Sequence, residues 1–329
     1  VATIYEVAAR AGVSPATVSR VLNGIKVSPS NVAAVRAAAK ELNFSPSRTA
    51  RSLRKQNSEV IALVIPDIEN PFFTALARGV EDRLREAGYS LVLCNTDDDP
   101  QTEAKYLSIA VSENMAGVIV VPATEQSDLS PLLSRGKPVV TVDRSTSHDV
   151  DAVTIENRAA ARAATEVLVR AGYRRIAFIA GPRGIETAEE RTLGWYDAMA
   201  ARNDPELDRY LRYANYRVPG GRAMMAELLA LPDPPDAVVV ANNLMGVGAL
   251  QVLSEAGIAP PAFGVAVVGD IPFTTLAPAS VTVVHLPARH LGVTAASLLV
   301  ERINGDTQPP RTVVLRNELV EATGAQPGM

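Results

Sequence analysis

From Glu59 onward the chain repeats one pattern: a short apolar run, a polar loop, then an amphipathic helix. The runs are VIALVIP (60–66), SLVLCN (90–95), GVIVVP (117–122), PVVTVD (138–143), IAFIAG (176–181), AVVVAN (237–242) and VAVVG (265–269). Apolar residues without alternation demand cover on both faces, which means parallel strands sandwiched by helices. The intervening helices are amphipathic, as in 72–87, where Leu76, Val80 and Leu84 share one face. Ala-Gly-Tyr or Ala-Gly-Ile closes three of them, at Gly88, Gly172 and Gly257, the place of a left-handed C-terminal cap. At least seven strands in residues 59–329 suit two doubly wound lobes better than one sheet. In such folds ligands bind beyond the carboxyl ends of the strands, so the loops there carry the candidate chemistry.

Those loops read DIENPFF (67–73), NTDDDP (95–100), VDR (142–144), AGPRGIETAEER (180–191), ANN (241–243) and GDIPF (269–273). Rings that stack on an apolar face, with Asp, Asn and Arg that bond hydroxyls, are the set that holds a small polyhydroxylated ligand. Singly each residue has a plainer reading, the Asp as helix caps and Phe72 or Phe73 as core.

The first 57 residues are of another kind. They hold nine Lys or Arg against only Glu6 and Glu41, a +7 head on a chain of net charge −4. A basic head on an acidic body points to a polyanionic partner for the head alone, or else to a merely well-solvated segment. Thr3 to Glu6 has the form of a capping box, with Ile4, Val7, Ala8 and Ala11 following at helical spacing until Gly12. Ser14 then caps a second helix with Pro15 at its first position, a buried stripe of Val18, Val21 and Leu22, and a stop at Gly24. A third begins at Ser28-Pro29 and buries Val32, Val35, Ala39 and Leu42. Two short helices joined by a tight glycine turn, with a third to complete a core, make a helix-turn-helix unit. The outer face of the second helix carries Pro15, Ala16, Thr17, Ser19, Arg20 and Asn23, small or hydroxylated except for one arginine. Such a face fits a major groove: Arg20 can pair bidentately with a guanine, Pro15 and Ala16 offer apolar contact, and Ser14, Thr17, Ser19 and Asn23 suit phosphates. An ordinary helical hairpin has the same periodicity but not the charge.

FSPSRTARSLRKQNS (44–58) has another Ser-Pro cap at Ser45-Pro46 and then, from Arg48 to Lys55, four basic residues, Arg51 among them, and one large apolar side chain, Leu53. A helix so short is marginal alone. It either folds on the nucleic acid with Leu53 wedged between base steps in the minor groove, or serves as a basic linker.

TIYEVAARAGVSPATVSRVLNG followed by ELNFSPSRTARSLR resembles the headpiece and hinge of the LacI/GalR family of bacterial transcription regulators. The resemblance implies a headpiece over 1–45, with 13–23 as recognition helix and Pro15, Ala16 and Arg20 at base-reading positions. Thr3 and Arg51 fall among the DNA-facing residues. It implies a hinge over 46–58 with Leu53 as the minor-groove wedge, and homodimers on near-palindromic operators. The body is similar to the family's effector domain and, more distantly, to periplasmic sugar-binding proteins, as far as about Leu319. Lobe 1 is then expected over about 59–157 plus 286–308, and lobe 2 over about 158–285 plus 309–325. The effector, a sugar or a purine-like molecule, would lie between them. Phe72 and Phe73 would supply rings, Asp143 would stand at the cleft, Arg191, Asn242 and Asp270 would meet hydroxyls, and Tyr216 would stack from the second lobe. The turn VVGDIPF is two residues shorter than in many relatives, and Arg144 stands where some carry an aromatic.

Other classes find little support. There is no Walker loop, no HExxH or paired-Cys metal spacing and no GxSxG, and His148, His285 and His290 form no cluster, so neither enzyme chemistry nor a cofactor is expected. Cys94, the single cysteine, reads as a buried small hydrophobe. A solute-binding protein without a DNA role explains the body but not the basic head, and would need an export signal that the N-terminus does not display. No apolar stretch nears the ~18 residues of a membrane span, and a cytoplasmic protein, nucleoid-associated when on DNA, is expected. No leucine heptad follows Leu319, so a dimer without an appended coiled coil is expected.

Overall fold

The computed structural model describes residues 2–22, 25–44, 58–271 and 280–322. The chain divides into two compact units, Val1–Ser58 and Glu59–Met329.

In the first unit the expected helices form where their caps dictate. α1 (Ile4–Ala11) has the complete capping box: Glu6 N–H donates to Thr3 Oγ1 at 3.3 Å, and Thr3 N–H to the Glu6 carboxylate at 2.6 Å. Gly12 ends it at φ 65°, a left-handed conformation that costs glycine little. α2 (Pro15–Leu22) follows Ser14, whose Oγ accepts from Thr17 N–H at 3.2 Å. α3 (Pro29–Glu41) follows Ser28, whose side chain accepts from Asn31 N–H at 3.4 Å. Val7, Ala8, Val18, Val35 and Ala38 are enclosed, with Ile4, Val21, Leu22 and Leu42 packed around them. The stripe of α3 thus centres on Val35 and Ala38, with Ala39 and Leu42 packed against that core. Positions i+3 and i+4 straddle one helix face, and here i+3 is the more deeply buried. Asn23, and the whole 46–54 hinge segment with Arg51 and Leu53, lie outside the described residues.

The second unit holds two six-stranded sheets. The first comprises β1 (Val60–Ile65), β2 (Ser90–Asn95), β3 (Gly117–Val120), β4 (Val139–Val142), β5 (Asp151–Ile155) and β11 (Thr312–Leu315), in the order β2-β1-β3-β4-β5-β11. The second comprises β6 (Ile176–Ala180), β7 (Leu211–Tyr213), β8 (Ala237–Val240), β9 (Gly264–Val268), β10 (Thr282–His285) and β12 (Glu318–Val320), in the order β7-β6-β8-β9-β10-β12. Both carry the doubly wound 2-1-3-4-5 order with one strand added at the far edge. All pairs are parallel except β10 with β12. Central strands β3, β4, β6, β8 and β9 are buried along their whole length, as their unbroken apolar runs require. SLVLCN, equally apolar, is instead the edge strand β2 with Val92 and Leu93 exposed, while Cys94 is buried and its thiol pushed up by burial.

The helices relevant to the site are α4 (Pro71–Glu86), α5 (Pro100–Ser112), α6 (Ser130–Leu133), α7 (Asn157–Arg170), α8 (Glu186–Met199), α9 (Val218–Leu229), α10 (Asn243–Glu255) and α11 (Ala288–Ile303). α4 and α11 lie backbone to backbone: a Cβ on Gly79 would come within 2.1 Å of Arg289 O, and one on Gly292 within 2.1 Å of Leu76 O. This close pairing seats α11 in the first lobe, although it follows β10 of the second.

The chain crosses between lobes after β5, after β10 and between β11 and β12. Glu156 N–H donates to Leu315 O at 3.2 Å and Asn317 Nδ2 donates to Glu156 O at 3.0 Å, which ties two of the crossings together. The expected boundary therefore needs correction: 309–325 does not belong wholly to lobe 2, because β11 pairs with β5 in the first sheet and only β12 joins the second. Both are short edge strands of alternating exposure, too weak a pattern to locate in sequence.

Candidate functional site

The strand-end loops of both lobes converge on a cleft of about 490 Å³, within the ~300–1,000 Å³ of small-molecule pockets. Phe72, Phe73, Asp143, Arg191, Tyr216, Asn242 and Asp270 all line it.

From the first lobe, Asn70 caps α4 by accepting from Phe72 N–H at 3.0 Å, and so sets both phenylalanines at the cleft wall. Their rings meet edge to face at 5.1 Å. Phe73 is buried and anchors α4 to the core, whereas Phe72 is half-exposed toward the cleft. The plainer core reading thus describes Phe73 better than Phe72. β4 delivers Asp143 and Arg144. Arg144 N–H donates to Val142 O at 2.7 Å across Asp143, whose φ is 66°. A non-glycine residue in such a tight turn stores strain of ~1–3 kcal/mol, which is commonest where function needs the side chain re-aimed. Asp143 is only 5 % exposed, and its Oδ1 has no partner among the described residues. Burial pushes its carboxyl above the ordinary range, against the opposing pull of Arg144 and Arg191.

From the second lobe, Arg191 projects from α8, 5 % exposed. Its Nε donates to Asn157 Oδ1 at 2.9 Å and its Nη1 to Ala241 O at 2.6 Å, so the guanidinium is fixed before any ligand arrives. Asn242 caps α10, accepting from Met245 N–H at 2.9 Å, and donates through Nδ2 to Tyr216 O at 2.8 Å. Tyr216 has φ 61°, its hydroxyl 3.2 Å from Thr187 Oγ1 and its ring pressed on Gly181. Asn242 is therefore both helix cap and holder of the tyrosine. Asp270 lines the cleft more openly and touches His285 Nδ1. Phe273, from the same loop, lies outside the described residues.

The lobes also meet across the cleft. Asn243 Nδ2 donates to Asn70 Oδ1 at 3.1 Å, Glu186 accepts from the backbone and hydroxyl of Ser145, and Arg217 reaches Asp67, Glu69 and Asp97 at 3.3–3.5 Å. Arg217, Asn243, Asn157 and Thr187 were not among the expected site residues. Arg217 follows β7, a three-residue strand without an apolar run, so no strand end marked its loop.

In the head, Ser14, Pro15, Ala16 and Arg20 are exposed, Thr17 and Ser19 half-buried, and Thr3 is exposed at the start of α1. Arg20 has no acidic partner among the described residues, whereas Arg10 is paired with Glu41 at 2.8 Å.

Residues 58–323 match the family described as periplasmic binding proteins and sugar binding domain of the LacI family, and residues 3–47 match the bacterial regulatory proteins of the lacI family. The chain belongs to the LacI family. It is 36 % identical to a ribose operon repressor of Halalkalibacterium halodurans over 92 % of this chain and 90 % of that protein. Its fold matches the transcriptional regulator CelR in complex with cellobiose at a TM-score of 0.72 and 33 % identity, covering 98 % of this chain and 100 % of the other. It matches the lac repressor dimer bound to operator and the anti-inducer ONPF at a TM-score of 0.86 and 24 % identity, over 98 % and 99 % of the two chains. A LacI-family chain is a DNA-binding transcription regulator, not an enzyme, and it works in the bacterial cytoplasm. No described helix is long and apolar enough to cross a membrane, and no described cluster of His, Cys, Asp and Glu could hold a metal ion. His148 accepts from Leu129 N–H at 3.2 Å, and His290 is exposed.

Proposed function

We propose that this LacI-family regulator is a repressor released from its operator by a monosaccharide of the ribose kind held between the lobes. The observation that carries the reading is the cleft's chemistry: rings from both lobes, an unpartnered buried acceptor on Asp143 and two buried guanidiniums. Phe72 and Tyr216 flank the sugar's apolar faces. Asp143, Arg144 and Arg191 take its hydroxyls, with Asn242 and Asp270 at the second lobe's edge. The ribose operon repressor at 36 % identity supports the same class. Phe73 acts from behind, as a brace for Phe72.

In the head, α2 enters the major groove. Arg20 reads a guanine, Pro15 and Ala16 make apolar base contacts, and Thr3, Ser14, Thr17, Ser19 and Asn23 bond phosphates. Arg51 and Leu53 act in the hinge. The protein binds as a homodimer to a near-palindromic operator and is nucleoid-associated in that state. Leu93 on the open edge of the first sheet, beside Tyr89 and Leu91, offers an apolar face to the second copy. Effector and operator bias one lobe-closure equilibrium, so a sugar that weakens DNA binding must itself bind the DNA-bound form more weakly by the same factor.

The test begins with selection of bound duplexes from a random-sequence pool at near-physiological salt, because charge alone gives spurious binding in low salt. A near-palindrome should be enriched, and D-ribose should release it at a concentration at which purine bases do not. Enrichment that requires a purine would replace the inducer reading by a corepressor one, and no enrichment under either condition would refute the role given to α2.

A further inference from the structure

The loop between β2 and α5 contains three consecutive aspartates, and each has a different partner. Asp99 caps α5, accepting from Gln101 N–H at 3.2 Å and Thr102 N–H at 3.0 Å. Asp98 points into the cleft floor, with Oδ1 2.5 Å and Oδ2 3.4 Å from the two terminal nitrogens of Arg144. Asp97 faces the mouth, where its Oδ1 accepts from Arg217 Nη2 of the other lobe at 3.3 Å and from Asn95 Nδ2 at 3.2 Å. Asp97 and Asp98 are both left-handed, at φ 55° and 58°, in a turn anchored at one end by the Asp99 cap.

We propose that this turn makes Asp98 a positioning residue for effector selectivity and Asp97 a closing contact for the lobes, so that one rigid element serves both recognition and closure. The proposal rests on the cleft being the effector site. Arg144 is 4 % exposed and its Nε lacks a partner among the described residues. Among the described residues, the guanidinium's remaining hydrogen bond is Nη1 to Pro122 O at 3.2 Å, a single contact about which its plane can turn. The paired carboxylate of Asp98 fixes that plane, since two parallel N–H···O bonds set an orientation that one cannot. Arg191, by contrast, is fixed by Asn157 and Ala241 O without a carboxylate. On the mouth side, Asp97 shares Arg217 with Asp67 and Glu69, so the first lobe presents three acidic groups to a cation of the second. These groups are mostly exposed, so their attraction is screened by salt, whereas the part-buried Asp98–Arg144 pair, with side chains 34 % and 5 % exposed, is screened less.

Asp98→Asn keeps a residue type that tolerates the left-handed turn, but sets an amide N–H₂ against a guanidinium donor. D-Ribose is the probe, with L-arabinose as the comparison sugar, measured by calorimetry on the full chain. D98N should weaken ribose binding about tenfold, the equivalent of one misdirected charge-assisted hydrogen bond, and should narrow the ratio between the two sugars. In an Arg144→Met background D98N should cost nothing further. Asp97→Asn should leave the ratio unchanged, speed ribose dissociation and reduce the dependence of that rate on salt. Additive losses in the cycle, or an unchanged sugar ratio in D98N, would overturn the positioning role. An unchanged dissociation rate in D97N would overturn the closing role. A crystal structure of ligand-free D98N decides the positioning independently of any sugar: Arg144 should leave its plane, and an unmoved guanidinium overturns the proposal. Should the wild-type protein bind neither sugar, the effector reading fails while this structural arm still stands or falls by itself.

Discussion

Gly181→Ala tests the aromatic wall of the cleft with a single carbon atom. Gly181 follows β6 and has no left-handed backbone, so alanine introduces no strain in the main chain. Its Cβ would nevertheless sit 2.1 Å from Tyr216 Cζ and 2.4 Å from Cε1, where ordinary contact begins near 3.4 Å. The ring must therefore retreat by roughly 1.3 Å, the difference between those distances. It cannot retreat by a backbone shift alone, because Tyr216 O is held by the Asn242 cap and the hydroxyl lies 3.2 Å from Thr187. Retreat breaks the Thr187 contact and either tips the ring out of the stack or drives it into the ligand's space. A lost ring contact is worth about 1 kcal/mol. Crowding of a packed site costs about as much again. Together they predict a roughly thirtyfold weaker sugar Kd by calorimetry. The sugar concentration that half-releases operator should rise by the same factor in a gel-shift titration. Tyr216→Phe is the control: it keeps the ring, loses only the Thr187 contact, and should bind within about threefold of wild type. A G181A protein that melts like wild type and binds sugar within about twofold of it would show that Tyr216 does not touch the effector.

Other substitutions probe the remaining parts. Arg20→Ala should cost ~1–3 kcal/mol of operator affinity, concentrated at one base pair per half-site, and a competition assay over all single-base variants reads this directly; an equal loss at every sequence would place Arg20 on phosphate. Asp143 must be ionised to accept two hydroxyl hydrogens, and burial raises its pKa, so sugar affinity should decline on acidification from above the ordinary 3.8. Stability has the opposite sign: the folded state holds that proton more tightly than the unfolded one, so stability falls as pH rises from 3.8 through the raised value. Asp143→Asn should accordingly melt higher than wild type at neutral pH while losing sugar affinity, and a lower melting temperature would contradict the assigned cause. Asp151, with its side chain 1 % exposed, holds Arg302 at 2.6 and 2.9 Å and the backbone of Arg311 at 2.8 Å. Asp151→Asn leaves Arg302 without its counter-charge and should cost about 3 kcal/mol in urea unfolding. Burial alone would raise the Asp151 pKa, but Arg302 and Arg311 outweigh it and hold it below 3.8, so its contribution is present above 3.8 and lost as pH falls through the lowered value.

What was legible in the sequence is what short-range physics decides. The caps at Thr3, Ser14 and Ser28, the closing glycines and the unbroken apolar strands all follow from contacts within a few residues, and so they could be read directly. The strand-end rule then led to the loops that hold Phe72, Asp143, Arg191, Asn242 and Asp270, without their partners. Three matters rested on tertiary structure. β11 and β12 part company because only pairing across the assembled sheets distinguishes two weak edge strands. Phe72 and Phe73 are adjacent in sequence and equal in hydrophobicity, yet the turn of α4 sends one to the cleft and the other to the core. And Asp98, Asp97 and Arg217 carry ordinary surface charges until folding brings residues 46 and 120 positions apart within hydrogen-bond reach. A side chain's element is set by its neighbours in the chain; its partner is set by the packing of elements that the local sequence does not encode.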